Sequence, residues 1–476
     1  MGDGTAAMKE KTLEGIFEQL DKNGVKRIMV SFSDMDGRIY HPVLLYNGSA
    51  EDKNRIAEEL QYGGQRDGVA NGWLPTDGSS FPGFDLDTCQ SDMVIAADLD
   101  TFRIWKRKEP APDGKVQEET VAHLWGDIKN PDGSEYACCP RTILKRAVAL
   151  AKEHGVVFTA GSEQEFFVSK VPRRLVHIDD AIYYQEVPIW LSDAALDMRA
   201  RGIETDYIHH EVAASQFEIR VKYKDALSKA DDVLLYKIAL QEAARLQGLS
   251  ITFMPKPQDG INGSGMHVHW GMFSEDGKNL MHDPESKTGF SREGEGVVAA
   301  LMHYANESAI VHNPTINSYR RLKPGYEAPT VVCWGSKNRT AMFRQPAERT
   351  RIENRVLDGV GSPHLKFALL IHAALYGSVI HAAQYGAECE LDAPVKENVF
   401  HSDVVNRRGL DAVPQNFGAA IKAAKNSNFL KEAFGERAYN RFMDLREQEW
   451  SEYKKDTRFQ SEAIKLAWEC KRYWDR

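Results

Sequence analysis

From Lys11 to Asn23, Leu13, Ile16, Phe17 and Leu20 fall at helical spacing, which predicts a helix with one apolar face. Arg27 to Phe32 changes to an alternating, β-branched run, and Asp36-Gly37 marks a turn before Ile39-Tyr40. Gly63 to Pro82 is rich in Gly, Asp and Ser and reads as a long loop, a kind of segment that often carries function. Trp105 to Pro112 turns to Lys, Arg and Pro and reads as an exposed excursion. Behind Pro140 a helix opens over Arg141 to His154, and the domain boundary is placed there, with residues 1–140 as one domain and 141–476 as the other.

Beyond that boundary strand and helix signals alternate. Val156 to Phe167 and Ser250 to Met254 read as strands. Ser228 to Gln247 reads as a strongly amphipathic helix, Gly294 to Ala309 as another, and Leu365 to Gln384 as a buried one. The C-terminal segment is helical and charged, with no strand signal. No internal repeat is present, and this order of elements belongs to the α+β or mixed α/β class.

Composition narrows the function classes. With 42% hydrophobic and 27% charged residues the chain is ordinary for a globular protein. A net charge of -9 and a pI near 6.0 argue against a nucleic-acid partner, which calls for a basic face. No apolar run approaches the ~20 residues that cross a bilayer, and the first residues lack an apolar signal core, so a cytoplasmic place is expected and no membrane contact. The 6 cysteines include no CxxC pair, which fits reduced thiols.

The chemistry is concentrated in a few segments. Glu163 and Glu165 flank Gln164, and on a strand residues two apart share a face. Two carboxylates there repel unless a cation lies between them, and the Phe-Phe-Val that follows implies burial, so a metal is favoured over a solvated edge. A second acidic pair, Glu211 and Glu218, is separated by small residues that allow a bend. Behind Pro255-Lys256-Pro257, the run Asn262-Gly-Ser-Gly lets the backbone approach a ligand closely, and His267 and His269 then share one strand face. In Arg351-Ile-Glu353-Asn-Arg355 charge alternates with neutral residues, which on a strand suits anionic groups held around a metal. Arg320, Arg321, Arg339 and Arg344 add positive charge in an acidic protein, which points to an anionic small substrate. Glutamates with one histidine are hard ligands, favouring Mg2+ or Mn2+ over zinc. Such a site ringed by arginines suits phosphoryl transfer from a nucleotide, and the absence of a GxxxxGK[ST] loop leaves the phosphates to metals and arginines.

In order and spacing these segments resemble the glutamine synthetase family, type I. Asp77-Gly-Ser-Ser, Glu163-x-Glu165, His-His-Glu211-Val, Asn-Gly-Ser-Gly-Met-His267, Asn-Ser-Tyr-x-Arg321 with Gly-Tyr-Glu327-Ala-Pro, and Arg351-x-Glu353-x-Arg355 carry the likeness between about Val25 and Gln384. The resemblance implies an α+β fold, with an N-terminal β-grasp domain and a catalytic domain of curved antiparallel sheet and helices. It also implies rings of six subunits, commonly stacked as dodecamers, with active sites at subunit boundaries.

Position by position it implies Glu165, Glu211 and Glu218 as ligands of one metal and Glu163, His267 and Glu353 as ligands of a second, with two or three Mg2+ or Mn2+ per site. His269, Arg344 and Arg351 match positions that hold ATP phosphates. Asn262, the Gly263 backbone, Arg321, Arg339 and Arg355 match the L-glutamate set. Asp77, from a neighbouring subunit, matches the residue that binds and deprotonates ammonium, and Glu327 matches a flap carboxylate that shields the intermediate. The implied reaction joins ammonia or a primary amine to the γ-carboxyl of glutamate through a γ-glutamyl phosphate, with ATP as co-substrate.

The chain departs from the family in places. The family's Arg-x-Glu-x-Arg-x-Pro-Asp-Pro becomes Arg351-Ile-Glu-Asn-Arg355-Val-Leu-Asp-Gly, and Trp270-Gly271 stands where a polar residue and Ser are common. Tyr183-Tyr184 lies in a remodelled segment where the family carries an ammonium-site tyrosine. These changes concern the nitrogen substrate and favour an organic, bulky or aromatic amine over plain ammonia. A non-catalytic ring protein would be expected to lose metal ligands, and all six are present.

Overall fold

The computed structural model describes residues 12–66, 69–170, 187–348, 351–377 and 391–476. The chain divides into two compact units. The first comprises Met1–Asp34, Ile39–Thr142 and Ala200–Gly202, and the second Met35–Arg38, Ile143–Arg199 and Ile203–Arg476.

The first unit is built on β1 (Arg27–Ser33), β2 (Ile39–Tyr40), β3 (Val43–Leu45), β4 (Tyr62–Arg66), β5 (Val69–Gly72), β6 (Leu74–Asp77), β7 (Asp92–Pro110) and β8 (Val116–Lys129). Its main sheet runs β2-β1-β8-β7-β6, with β3 also on β1; β1 and β8 are parallel and the other pairs antiparallel. The helix Leu13–Lys22 forms where the apolar spacing predicts it, capped by the Thr12 hydroxyl, which accepts from the Gly15 N–H at 3.3 Å. It buries Ile16 and Leu20, while the sheet buries Ile28, Val30, Ile95 and Leu124.

Two expectations change here. Gly63 to Pro82 is not a loop: it contains β4, β5 and β6, because ladder bonds come from backbone groups that Gly and Asp also possess. Trp105 to Pro112 is the far end of a long hairpin; Trp105 is buried, and Lys106 bonds Glu118 on the returning strand at 2.6 Å.

The second unit holds β9 (Val156–Ser169), β10 (Thr205–His210), β11 (Gln216–Asp225), β12 (Ser250–Thr252), β13 (Met266–Ser274), β14 (Trp334–Ser336), β15 (Phe343–Gln345) and β16 (Ile352–Asn354). The order is β10-β11-β9-β13-β16-β15-β14, with β12 on β9, antiparallel except between β14 and β15. The helix Ala226–Leu246 packs on β9, β11 and β12 and also against the helix Pro363–Gly377. Being covered on both sides, it is not amphipathic as the sequence suggests: Asp231, Asp232 and Lys237 are buried with its apolar residues, Asp231 at 2.9 Å from His364 and Asp232 at 2.6 Å from Lys224.

Gly294 to Ala309 is covered by two helices, Arg292–His303 and Ala305–His312, rather than one. The predicted helix from Leu365 is present as Pro363–Gly377, and its remainder to Gln384 lies outside the described residues. The C-terminal segment is helical as expected, including Glu436–Thr457 and Glu462–Tyr473. Among the described residues, no helix is long and apolar enough to cross a membrane.

Candidate active site

Strand register assembles the site. On β9, Glu163 and Glu165 point one way, while Gln164 between them is fully buried on the other side. Glu165 stands opposite Glu218 of β11, and Glu218 opposite His209 of β10. Glu163 has Arg220 of β11 on one side and His267 of β13 on the other. Glu353 of β16 faces His269 of β13 and Arg344 of β15. Register partners share a face, so six strands deliver their charged side chains to one side of the sheet. The turn between β10 and β11 is tight, with Ser215 at φ 60°, and brings Glu211 back beside Glu218, as the small residues between them suggest.

These donors form three overlapping groups, each with ligand atoms within 4.8 Å: Glu163, Glu218 and His267; Glu163, His269 and Glu353; and His209, Glu211 and Glu218. Against the sequence partition, His269 sits with a carboxylate pair, and His209 joins the set through Glu211 at 2.6 Å. Glu165 is partly engaged within the protein, accepting from the Gly265 N–H at 2.8 Å and from Gln216 Nε2 at 3.2 Å.

The charge balance of the cluster fits divalent cations. Burial, together with Glu163, Glu165, Glu211 and Glu353 around it, pushes the Glu218 carboxyl up to about 10. Burial would raise Glu353 too, but Arg355, His267, His269 and Arg344 bring it to about 2. For Glu163 burial is outweighed by bonds from His267 and His269, which hold it below the usual carboxylate range. The bond that His209 donates to the Glu211 carboxylate raises His209. A buried set of oxygen donors with more negative charge than its neighbours neutralise is the donor chemistry of Mg2+ or Mn2+.

Beside this cluster lies a cavity of about 300 Å3, lined by Glu163, Glu165, Glu211, Glu218 and His267 and, across from these names in sequence, by Asn262, Gly263, Arg321, Glu327, Arg339 and Arg355. Gly263 and Gly265 permit its tight wall: a Cβ at Gly263 would collide with the Pro255 carbonyl, and one at Gly265 with the Arg321 guanidinium. Arg321 is buried and donates to the Arg355 and Val356 carbonyls, each at 3.0 Å. Arg355 donates to Glu353 Oε1 at 2.6 Å, and Arg344 bonds the other oxygen, so two guanidiniums bracket one carboxylate. Arg351 lies beside His269, Nε to Nδ1 at 3.5 Å.

His269, Arg344, Arg351 and Glu353 therefore adjoin the cavity without lining it. Asp77 belongs to the first unit. Bonds from Ser79 and Ser80 hydroxyls and the Ser79 N–H, at 2.7, 3.0 and 2.9 Å, help bring its carboxyl down to about 2. Tyr183 and Tyr184 lie outside the described residues.

Tyr207, His209, Gln216, Arg220 and Tyr326 also line the cavity and were not singled out as site residues from sequence. The alternation Gln216-x-Glu218-x-Arg220 was a usable signal for two of them. Two sequence departures turn out to be interior: Trp270 is buried with its ring 6.0 Å from Phe158, and Leu357, which stands in place of the family's first proline, is fully buried.

A sequence profile of the glutamine synthetase catalytic domain matches residues 137–463. The chain is 34% identical over 481 residues to a glutamine synthetase of Methanosarcina mazei, spanning 97% of both proteins. It is 36% identical over 461 residues to one of Clostridium saccharobutylicum, spanning 94% of this chain and 97% of that one. Among solved structures it resembles GmaS in complex with ADP, with a TM-score of 0.77 over 92% of this chain and 96% of the other; at 23% identity this likeness speaks to the fold. That fold is the glutamine synthetase-like α+β arrangement, a sheet-based N-terminal part followed by a catalytic sheet with helices. The chain belongs to the glutamine synthetase family, ATP-dependent ligases that join ammonia or an amine to glutamate.

Proposed function

We propose that this protein makes γ-glutamyl amides of an organic amine, activating L-glutamate with ATP as its γ-glutamyl phosphate. The observation that carries the activation chemistry is the convergence of Glu163, Glu211, Glu218, His267 and Glu353 with Arg355 and Arg344 on one sheet face. Mg2+ or Mn2+ held by the glutamates and His267, with Glu165 as a further ligand, would supply charge neutralisation at the transferred phosphate. Arg344, Arg351 and His269 orient the ATP phosphates, and Arg321, Arg339, Arg355, Asn262 and Gly263 hold glutamate so that its γ-carboxylate faces them. Glu327 covers the intermediate and accepts the proton that the amine loses, because an acyl phosphate open to water is hydrolysed.

The cavity's Tyr207 and Tyr326, beside Glu327, support an organic amine over ammonia, since aromatic walls suit an apolar substituent. The curated relatives named glutamine synthetase favour the second reading, in which the nitrogen donor is ammonia. In either reading Asp77 holds the incoming cation. Following the family resemblance, we assign it to a neighbouring subunit in a six-membered ring, which size measurement in solution tests. Phosphate release with glutamate and ATP, compared across ammonium, alkylamines and aniline, decides the substrate. Amide formation only with ammonium would replace the organic amine by ammonia.

A further inference from the structure

Lys256 stands between Pro255 and Pro257 and takes no part in the assignments above, yet its backbone is clamped and its side chain is buried against Ile261 and Tyr326. Asn317 holds the main chain on both sides: its Oδ1 accepts from the Lys256 N–H at 2.7 Å, and its Nδ2 donates to the Lys256 carbonyl at 2.9 Å. The same Nδ2 donates at 2.7 Å to Glu469 in the helix Glu462–Tyr473, and Arg320 Nε reaches both Glu469 oxygens at 2.9 and 2.8 Å. From this fixed base the Lys256 ammonium donates to the Ile261 carbonyl and lies 3.7 Å from the centroid of the Tyr326 ring.

The two groups it touches are the immediate neighbours of the proposed substrate residues. Ile261 precedes Asn262-Gly263, and Tyr326 precedes Glu327. Glu327 has φ 59°, a left-handed conformation that a glutamate does not adopt for its own sake, after Gly325 at φ 89°. Such a backbone persists only where neighbours hold it, and the adjacent Tyr326 is held by Lys256. We propose that Lys256 is a positioning residue, whose ammonium ties the Tyr326–Glu327 loop to the Ile261–Asn262 loop and so keeps the carboxylate closed over bound glutamate. This rests on the reading of the cavity given under the proposed function.

The charge has a working range. Burial brings Lys256 down to about 8; Asp259 opposes that shift, and Lys323 and Arg321 add to it. The tie is therefore in place below about 8 and fades as pH rises through that value.

The test uses the full chain with Lys256→Met and Lys256→Arg, each checked for an unchanged thermal midpoint. Phosphate released per amide formed and the glutamate KM are read near about pH 7 and about pH 9, either side of the lysine's range. Lys256→Met is expected to release about five- to thirty-fold more phosphate per amide than wild type near neutrality, the size of a desolvated cation–π contact. Wild type should move toward that behaviour at the higher pH. Lys256→Arg should stay coupled at both, because a guanidinium keeps its charge and stacks on an aromatic face. Combining Lys256→Met with Tyr326→Leu should be no worse than either alone; additive losses would overturn the tie.

Hydrogen exchange needs no turnover and separates this inference from the assigned reaction. Faster exchange across residues 323–329 in Lys256→Met but not in Lys256→Arg supports the tie, and unchanged exchange overturns it. A wild type that forms no amide with any amine overturns the reaction instead.

Discussion

Glu165 and Glu218 stand directly opposite each other on β9 and β11, two carboxylates on one face of a sheet and both buried. Like charges in that position repel, and a divalent cation reverses the sign of the interaction. Removing metal with a chelator is therefore expected to lower the thermal midpoint. Mg2+ or Mn2+ at a hundred times its Kd should restore about 2.7 kcal/mol. Without metal, burial and the surrounding carboxylates push the Glu218 carboxyl up to about 10, so folding has to protonate it; Glu218→Gln removes that cost and should be more stable than wild type without metal and gain less when metal is added. Calorimetry of both proteins with and without chelator checks it; an equal gain from metal in both would refute Glu218 as a ligand.

Glu353 is the carboxylate that Arg344 and Arg355 bracket. Glu353→Ala leaves two guanidiniums facing each other and takes away a proposed metal donor. Amide formation and glutamate-dependent ATP cleavage should fall together by about 10²–10³-fold, as for loss of a preorganised charge at a transferring group. Near wild-type ATP turnover would show that this carboxylate is not part of the activation machinery.

Asp77→Ala is expected to separate the two half-reactions. The Asp77 carboxyl, held at about 2 mainly by the Ser79 hydroxyl and then by Ser80 and Ser91, remains anionic throughout the working pH range. Asp77→Ala should leave glutamate activation intact and reduce ammonia-dependent turnover by roughly 10²–10⁴-fold. Aniline is already neutral near neutral pH and has no ammonium charge to capture, so its use should suffer far less. Steady-state rates with ammonium and aniline, followed in the same variant, give the comparison; equal large losses would sink the selective role.

Lys237 carries a pH-dependent stability cost. Burial, with the nearby charge of Lys366, lowers it from 10.5 to about 7, with Asp358 opposing. Between about 7 and 10.5 the unfolded chain binds the proton that the folded chain has released, so stability rises with pH across that window. Lys237→Met keeps the stem that packs near Phe253 and removes the ionisable group. Its gain should be largest below pH 7, on the order of a few kcal/mol, and should vanish by about pH 10.5. Denaturant midpoints at several pH values would show a flat difference if the group were not buried.

Much of the site was legible because its signals are local. Glu163-x-Glu165, His267-x-His269 and Arg351-x-Glu353-x-Arg355 declare their shared face through the two-residue period of a strand, and each lies on or beside the central strands. What stayed hidden depends on partners far away in sequence. His209 becomes part of the cluster because β10 pairs with β11 so that it faces Glu218. Gln216 matters through Glu165, and Lys256 through Tyr326, pairs that no spacing rule connects. The errors in the fold have the same origin. The strands within Gly63 to Pro82 are defined by ladder pairing rather than by side-chain pattern, and the helix Ala226–Leu246 hides its charges because a second helix covers what would otherwise be its wet side.

The face-sharing of β9 also limits how this site can change. A one-codon deletion between Val156 and Gly161 would send Glu163 and Glu165 toward the packed helices and bring Gln164 to the cavity, destroying ligand set and core in one event. Substitutions reach the cavity one side chain at a time, whereas length changes in this strand are all-or-nothing. New amine preferences in this scaffold can therefore be sought by exchanging residues at the cavity mouth, such as Tyr207, or by lengthening connections outside the sheet, but not by insertions within the strand that carries its acids.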